Sequence, residues 1–182
     1  MSTALAMAAA VLAAAGHAVT TDVAGKRPRG VVEDCSRISG FGGNLDDFSL
    51  RRNLVVGPLA ILRAGRTLAY VDAAGGNKLF VLVKGGHRVT IELPPSARRS
   101  AGLVFGRFPN GNVRLRDARR VVTFVACRRG QLADPHLDSW PVSGWVGGLL
   151  STSAQCVPLR VWVDDEPKPR RAVIRFGVPD CR

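Results

Sequence analysis

Between Arg88 and Leu93 the chain alternates: Val89, Ile91 and Leu93 are apolar, while Arg88, Thr90 and Glu92 are polar. A period of two predicts a half-buried β-strand. The run before it, Leu79 to Lys84 (LFVLVK), is apolar throughout and reads as a fully buried strand. Gly85-Gly86 between them is a two-residue turn signal, so the two runs predict a β-hairpin. A second hairpin is predicted where Val157 to Val163 (VPLRVWV) and Ala172 to Val178 (AVIRFGV) flank the turn-rich stretch DDEPKPR. Further strands are expected at Leu54 to Leu62, bent at Gly57-Pro58, at Gly102 to Phe105, at Val121 to Cys127 and at Trp140 to Leu150. Pro94-Pro95 ends one strand, and Pro109-Asn110-Gly111-Asn112 marks a turn. No long stretch has the 3.6-residue period of a helix; Ser96 to Ser100 suffices for one short turn.

About seven short strands at this spacing predict an all-β fold, a single antiparallel β-sandwich of immunoglobulin-like type. Cupredoxin-like and jelly-roll variants share the pattern. The sandwich domain is expected over 51–182. The stretch 19–50, rich in Gly and charge (KRPRG at Lys26 to Gly30, GFGG at Gly40 to Gly43), reads as a linker or arm tied down at Cys35. Hydrophobic residues make up 46 % of the chain but aromatics only 6 %, so the core must come from Val, Leu, Ile and Ala.

Ahead of this lies MSTALAMAAAVLAAAGHA. Its apolar stretch from Leu5 to Ala15 has the length of a signal-peptide core, and Gly16 and Ala18 are the small residues a signal peptidase needs. Residues 1–18 are therefore expected to be a cleaved export signal. No Lys or Arg precedes the apolar run, which predicts a start codon upstream of Met1. Nothing downstream is apolar enough to span a bilayer as a helix. The protein is expected to be secreted or held in the cell envelope. Four cysteines agree: Cys35, Cys127, Cys156 and Cys181 are an even set at wide spacing, with no C-x-x-C to suggest zinc or thiol-redox chemistry. Cys156 and Cys181 stand at the open end of the last hairpin, within bridging reach. That predicts Cys156–Cys181 and, by elimination, Cys35–Cys127, each contributing about 3–4 kcal/mol by the loop-entropy relation.

The formal charge is +12. An anionic partner is one explanation: a cell-wall polymer, an acidic lipid head group or nucleic acid. Codon bias is the other, since Arg outnumbers Lys by 22 to 4 amid abundant Ala, Gly and Val. The basic residues come in scattered pairs, Arg128-Arg129 among them, and no aromatic residues interleave with them. That spacing argues against nucleic acid and leaves an anionic wall polymer or a surface protein.

Groups for catalysis are few. Asp134, His136 and Asp138 alternate in the loop before Trp140, and on an extended segment they would point the same way. They are the candidate set for a secreted hydrolase or a metal-dependent enzyme. His87 follows the Gly85-Gly86 turn and reads as an exposed turn residue. Asp46-Asp47 and Asp164-Asp165-Glu166 read as exposed acidic turns. Trp145 and Trp162 fall inside strands and are expected in the interior; Trp140, at a loop edge, is the aromatic candidate for partner contact, beside Arg128 and Arg129. No G-x-S-x-G, H-E-x-x-H or phosphate-binding glycine loop is present, and nothing calls for a cofactor. The expected role is a non-enzymatic binding module for an anionic or protein partner, with the enzyme as the alternative.

Four segments, RRNLVVGPLAIL (Arg51 to Leu62), GNKLFVLVKGGHRVTIEL (Gly76 to Leu93), RRVVTFVAC (Arg119 to Cys127) and CVPLRVWVDDEPKPRRAVIRFG (Cys156 to Gly177), together resemble a group of uncharacterised secreted β-rich proteins of high-GC Gram-positive bacteria. The resemblance implies a signal peptide followed by one β-rich domain. Its cysteines follow the T-F-x-x-C strand, precede the V-P-L strand and close the chain. It implies no activity and transfers no catalytic residue.

Overall fold

The computed structural model describes residues 26–38, 43–69, 76–106, 113–131 and 141–181. The expected export signal, the turn at Pro109 to Asn112, the Asp134/His136/Asp138 set and Trp140 all lie outside the described residues. Among the described residues ten strands form two five-stranded sheets. They are β1 (Val31–Glu33), β2 (Leu54–Val56), β3 (Leu59–Ile61), β4 (Gly76–Lys84), β5 (Arg88–Glu92), β6 (Ala101–Val104), β7 (Val121–Val125), β8 (Val142–Ser151), β9 (Gln155–Val163) and β10 (Arg170–Phe176). One sheet runs β1-β7-β5-β9-β10 and the other β2-β3-β4-β8-β6. The only helical turns among the described residues are short 3₁₀ pieces at Cys35–Arg37, Leu45–Phe48 and Pro95–Ala97; the last overlaps the Ser96 to Ser100 prediction at Ser96 and Ala97. No described helix is long and apolar enough to cross a membrane.

The core lies between the sheets. Val89, Ile91, Leu93, Val122, Phe124, Leu159, Val161 and Ile174 from one sheet meet Leu59, Ile61, Leu79, Val81, Val83, Leu103 and Leu149 from the other. Aromatics join the layers: Phe105 stands edge-on to Phe124 at 5.0 Å, and Phe124 lies 5.2 Å from Trp145. Such pairs contribute about 0.5–1.5 kcal/mol each beyond their buried area. Trp145 is thus in the core as expected. Trp162 is also buried, but on the opposite face of β9, where its indole N–H donates to Glu92 Oε2 at 3.1 Å. Arg98 donates to the other Glu92 oxygen at 3.0 Å. The period-two reading of β5 therefore holds for direction, although the outward Thr90 and Glu92 are buried as well.

Two expectations are corrected, and a third segment gains definition. The hairpin predicted for Leu79 to Leu93 does not form. β4 pairs with β3 and β8, whereas β5 pairs with β7 and β9 in the other sheet. Gly85-Gly86 carries the chain across the sandwich edge rather than back along the same sheet. A strand pair with the same inward apolar face satisfies both geometries, so the local pattern does not distinguish them. The pairing is also not wholly antiparallel, because β1 runs parallel to β7, with Val31 opposite Val122 and Glu33 opposite Phe124. Finally, the described part of 19–50 is built into the fold: β1 is a sheet member, and Asn44 and Asp47 cap the turn at Leu45–Phe48 reciprocally. This part of the chain therefore contributes a strand and a capped turn to the two-sheet body.

The second hairpin forms as β9 and β10, antiparallel from Arg170–Val161 to Phe176–Gln155. Both predicted disulfides are present, Cys35–Cys127 and Cys156–Cys181, and no free cysteine remains. Two structural disulfides point to an oxidising, extracytoplasmic environment.

Candidate functional site

The crossing at Gly85-Gly86 sets up one wall of a cleft. Gly86 sits at φ +79° with nothing against it, a conformation that suits glycine. The turn is suspended from the neighbouring loop by two backbone bonds. Gly85 N–H donates to the Pro141 carbonyl at 2.9 Å, and Gly86 N–H to the Cys127 carbonyl at 3.1 Å. Cys127 is held three ways: by that bond, by its disulfide to Cys35, and by its own N–H donating to Ser143 Oγ at 2.8 Å. The loop that follows is closed by two bonds, Arg128 N–H to Gln131 Oε1 at 2.9 Å and Gln131 N–H to the Arg128 carbonyl at 3.1 Å. Arg128 and Arg129 are thereby held at the rim.

On the other side, the β5–β9 register places Val163 opposite Val89, so Asp164 arrives beside Arg88. Asp164 is one of two described non-glycine residues at positive φ, +39°, which Asp tolerates better than most. Its N–H donates to the Arg88 carbonyl at 2.8 Å, and Arg88 N–H donates back to Asp164 Oδ1 at 2.9 Å. His87 Nδ1 lies 2.7 Å from Asp164 Oδ2. Burial pushes the Asp164 carboxyl up, but the Arg88 N–H, the His87 hydrogen bond and charge, and the more distant Arg27 charge together outweigh it, and the net effect is downward. An ionised carboxylate only accepts, so Nδ1 is the donor in this contact.

These groups line a cleft of about 740 Å³ together with Val125, Ala126 and Asp165. Arg88 and Val125 also line an adjoining groove of about 470 Å³ with Arg27 and Arg29. Five arginines, at 27, 29, 88, 128 and 129, thus share one continuous surface with two aspartates, 164 and 165. Among the described residues none of the five is in an ion pair. Arg27 Nη2 is buried without a hydrogen-bond partner.

Of the candidates read from the sequence, the structure brings Arg128 and Arg129 into this cleft. Asp134, His136, Asp138 and Trp140 lie outside the described residues. The His87–Asp164 pair has no signature in the sequence: each residue stands in a turn, and only the β5–β9 pairing joins them across 77 positions. Chemically, the described lining offers guanidinium donors and one oriented imidazole but no hydroxyl or thiol nucleophile. Among the described residues no three His, Cys, Asp or Glu side chains converge as metal ligands. Compared with known protein families, curated proteins and solved structures, the chain matches none.

Proposed function

We propose that this protein is an exported, non-enzymatic binding module that docks an anionic polymer of the cell envelope in the His87/Arg88/Arg128/Arg129 cleft. The observation that carries the reading is the charge imbalance there. In the described lining, five arginines outside any ion pair accompany two carboxylates, and one of those, Asp164, is already engaged by His87 and the Arg88 N–H. Guanidinium forks match phosphate and carboxylate oxygens bidentately, and a polymer of either repeats the contact along its length. On this reading residues 1–18 are the export signal, the two-sheet body is an immunoglobulin-like sandwich, and the chain is a member of the secreted high-GC Gram-positive group it resembles.

The test is co-sedimentation of the purified protein with insoluble anionic wall polymer. Retention is expected at low ionic strength and is expected to be lost at about 1 M salt, where the screening length falls to about 3 Å. Arg128→Ala/Arg129→Ala should reduce retention about tenfold or more, the effect of removing charged hydrogen-bond donors. No retention at low salt, or retention indifferent to both substitutions, would overturn the proposal.

A further inference from the structure

A second basic cavity lies at the other end of β4, roughly 20 Å away by the length of the strand. It encloses about 500 Å³. Arg52, Arg63, Arg66 and Lys78 line it over a partly apolar wall that includes Leu62 and Phe80, and its described lining contains no Asp or Glu. None of the four cations is in an ion pair among the described residues; Lys78 Nζ lies 5.3 Å from the centre of the Phe80 ring.

The cations are held there by a built loop. Arg63 stands at φ +64°, a left-handed conformation that costs a residue with a long side chain about 1 kcal/mol or more. The strain is sustained by buried Asn53, whose Oδ1 accepts from Arg63 N–H at 2.8 Å while its Nδ2 donates to the Asp47 carbonyl at 2.8 Å. Two positions on, Gly65 presses against the turn at Arg51 to Asn53 that precedes β2. Its N–H donates to the Arg52 carbonyl at 2.9 Å, and a Cβ there would meet Arg51 O and Asn53 O at 2.5 Å. Arg175 Nη2 donates to the Gly65 carbonyl at 2.6 Å. The loop is clamped from three sides, and the clamp brings Arg52 beside Arg63 and Arg66. A glycine or asparagine would suit the position of Arg63 better, so a strained arginine in a cation ring points to a ligand rather than to folding.

We infer that this cavity binds a small amphiphilic anion, a phosphate monoester carrying an apolar chain, with its head group on Arg52, Arg63, Arg66 and Lys78 and its chain against Leu62 and Phe80. The volume suits a small molecule, and clustered guanidinium groups suit phosphate oxygens. This site is separate from the polymer cleft and does not depend on it.

Calorimetric titration with hexyl phosphate and with inorganic phosphate, beside flotation with vesicles containing phosphatidic acid, tests the inference and separates a free ligand from a lipid head group. Hexyl phosphate is expected to bind about tenfold more tightly than inorganic phosphate, because the apolar wall adds to the charge. If the lipid is the source, vesicle binding appears in its place. Arg63→Gly removes the cation while relieving the backbone, so thermal stability should be kept or raised while binding falls about tenfold or more. Arg66→Ala should weaken binding to the same degree, and both variants should retain wall polymer as the unsubstituted protein does. Binding of neither hexyl phosphate nor the vesicles, or binding that survives Arg63→Gly and Arg66→Ala, would overturn the inference.

Discussion

Two carboxylates in this protein respond to acid in opposite senses. Asp164 titrates below its ordinary value near 3.8, so its ionised form is favoured by folding. The stability it contributes is complete above that value and is lost as pH falls through its lower folded value. Asp164→Asn should therefore lower the melting temperature at neutral pH. The gap from the unsubstituted protein should close in strong acid, where Asp164 is protonated in both states. The amide can still accept from Arg88 N–H, but its nitrogen cannot accept from His87. Glu33 behaves in reverse. It is 4 % exposed, its Oε1 has no hydrogen-bond partner, and Arg37 approaches only to 3.6 Å. Burial pushes its carboxyl above the ordinary 4.5, with Arg37 pulling less strongly the other way. Its charge opposes folding at neutral pH, and the penalty fades as pH falls through the raised value. Glu33→Gln should raise the melting temperature at pH 7, with the gain vanishing in acid. Thermal melts across pH check both signs.

Among the strands, β8 shows how packing turns an ordinary glycine pair into a constraint. Gly147 lies opposite Leu79, and a Cβ on it would stand 2.3 Å from the Phe105 ring and 2.5 Å from the Val104 carbonyl. Gly147→Ala should destabilise the fold by about 1–3 kcal/mol, the usual cost of overpacking. A shift of the urea midpoint with unchanged slope would show it. This glycine marks the close approach of β6 to β8. The hairpins make the same point from two sides. β9–β10 was legible because its turn residues and its strands agree with one another locally. The run from β4 to β5 carried an equally clear local signal and yet crosses between sheets. An inward-facing Val81 and an inward-facing Val89 look alike in sequence, whether they are neighbours in a sheet or opposed across the core.

Taken as one body, the fold depends unequally on its two disulfides. Cys35–Cys127 spans 92 residues and Cys156–Cys181 spans 25. Loop entropy assigns them about 4.6 and about 3.5 kcal/mol, so the longer loop exceeds the about 3–4 kcal/mol expected of each and only the shorter falls within it. Cys35→Ala/Cys127→Ala should therefore lower the melting temperature by about 2–4 °C more than Cys156→Ala/Cys181→Ala. Only the first pair should also weaken polymer retention, because Cys127 anchors the loop that bears Arg128 and Arg129. Strand positions, the even cysteine set and even its pairing could be read from the chain, because they follow from side-chain periodicity, turn chemistry and the geometry of a single hairpin. The basic character and Arg128-Arg129 were legible too. Sheet membership, the parallel β1–β7 pair, the His87–Asp164 contact and the Arg52/Arg63/Arg66/Lys78 ring were not. Each joins residues distant in sequence, and which distant residues meet is settled only when two sheets bury a common core.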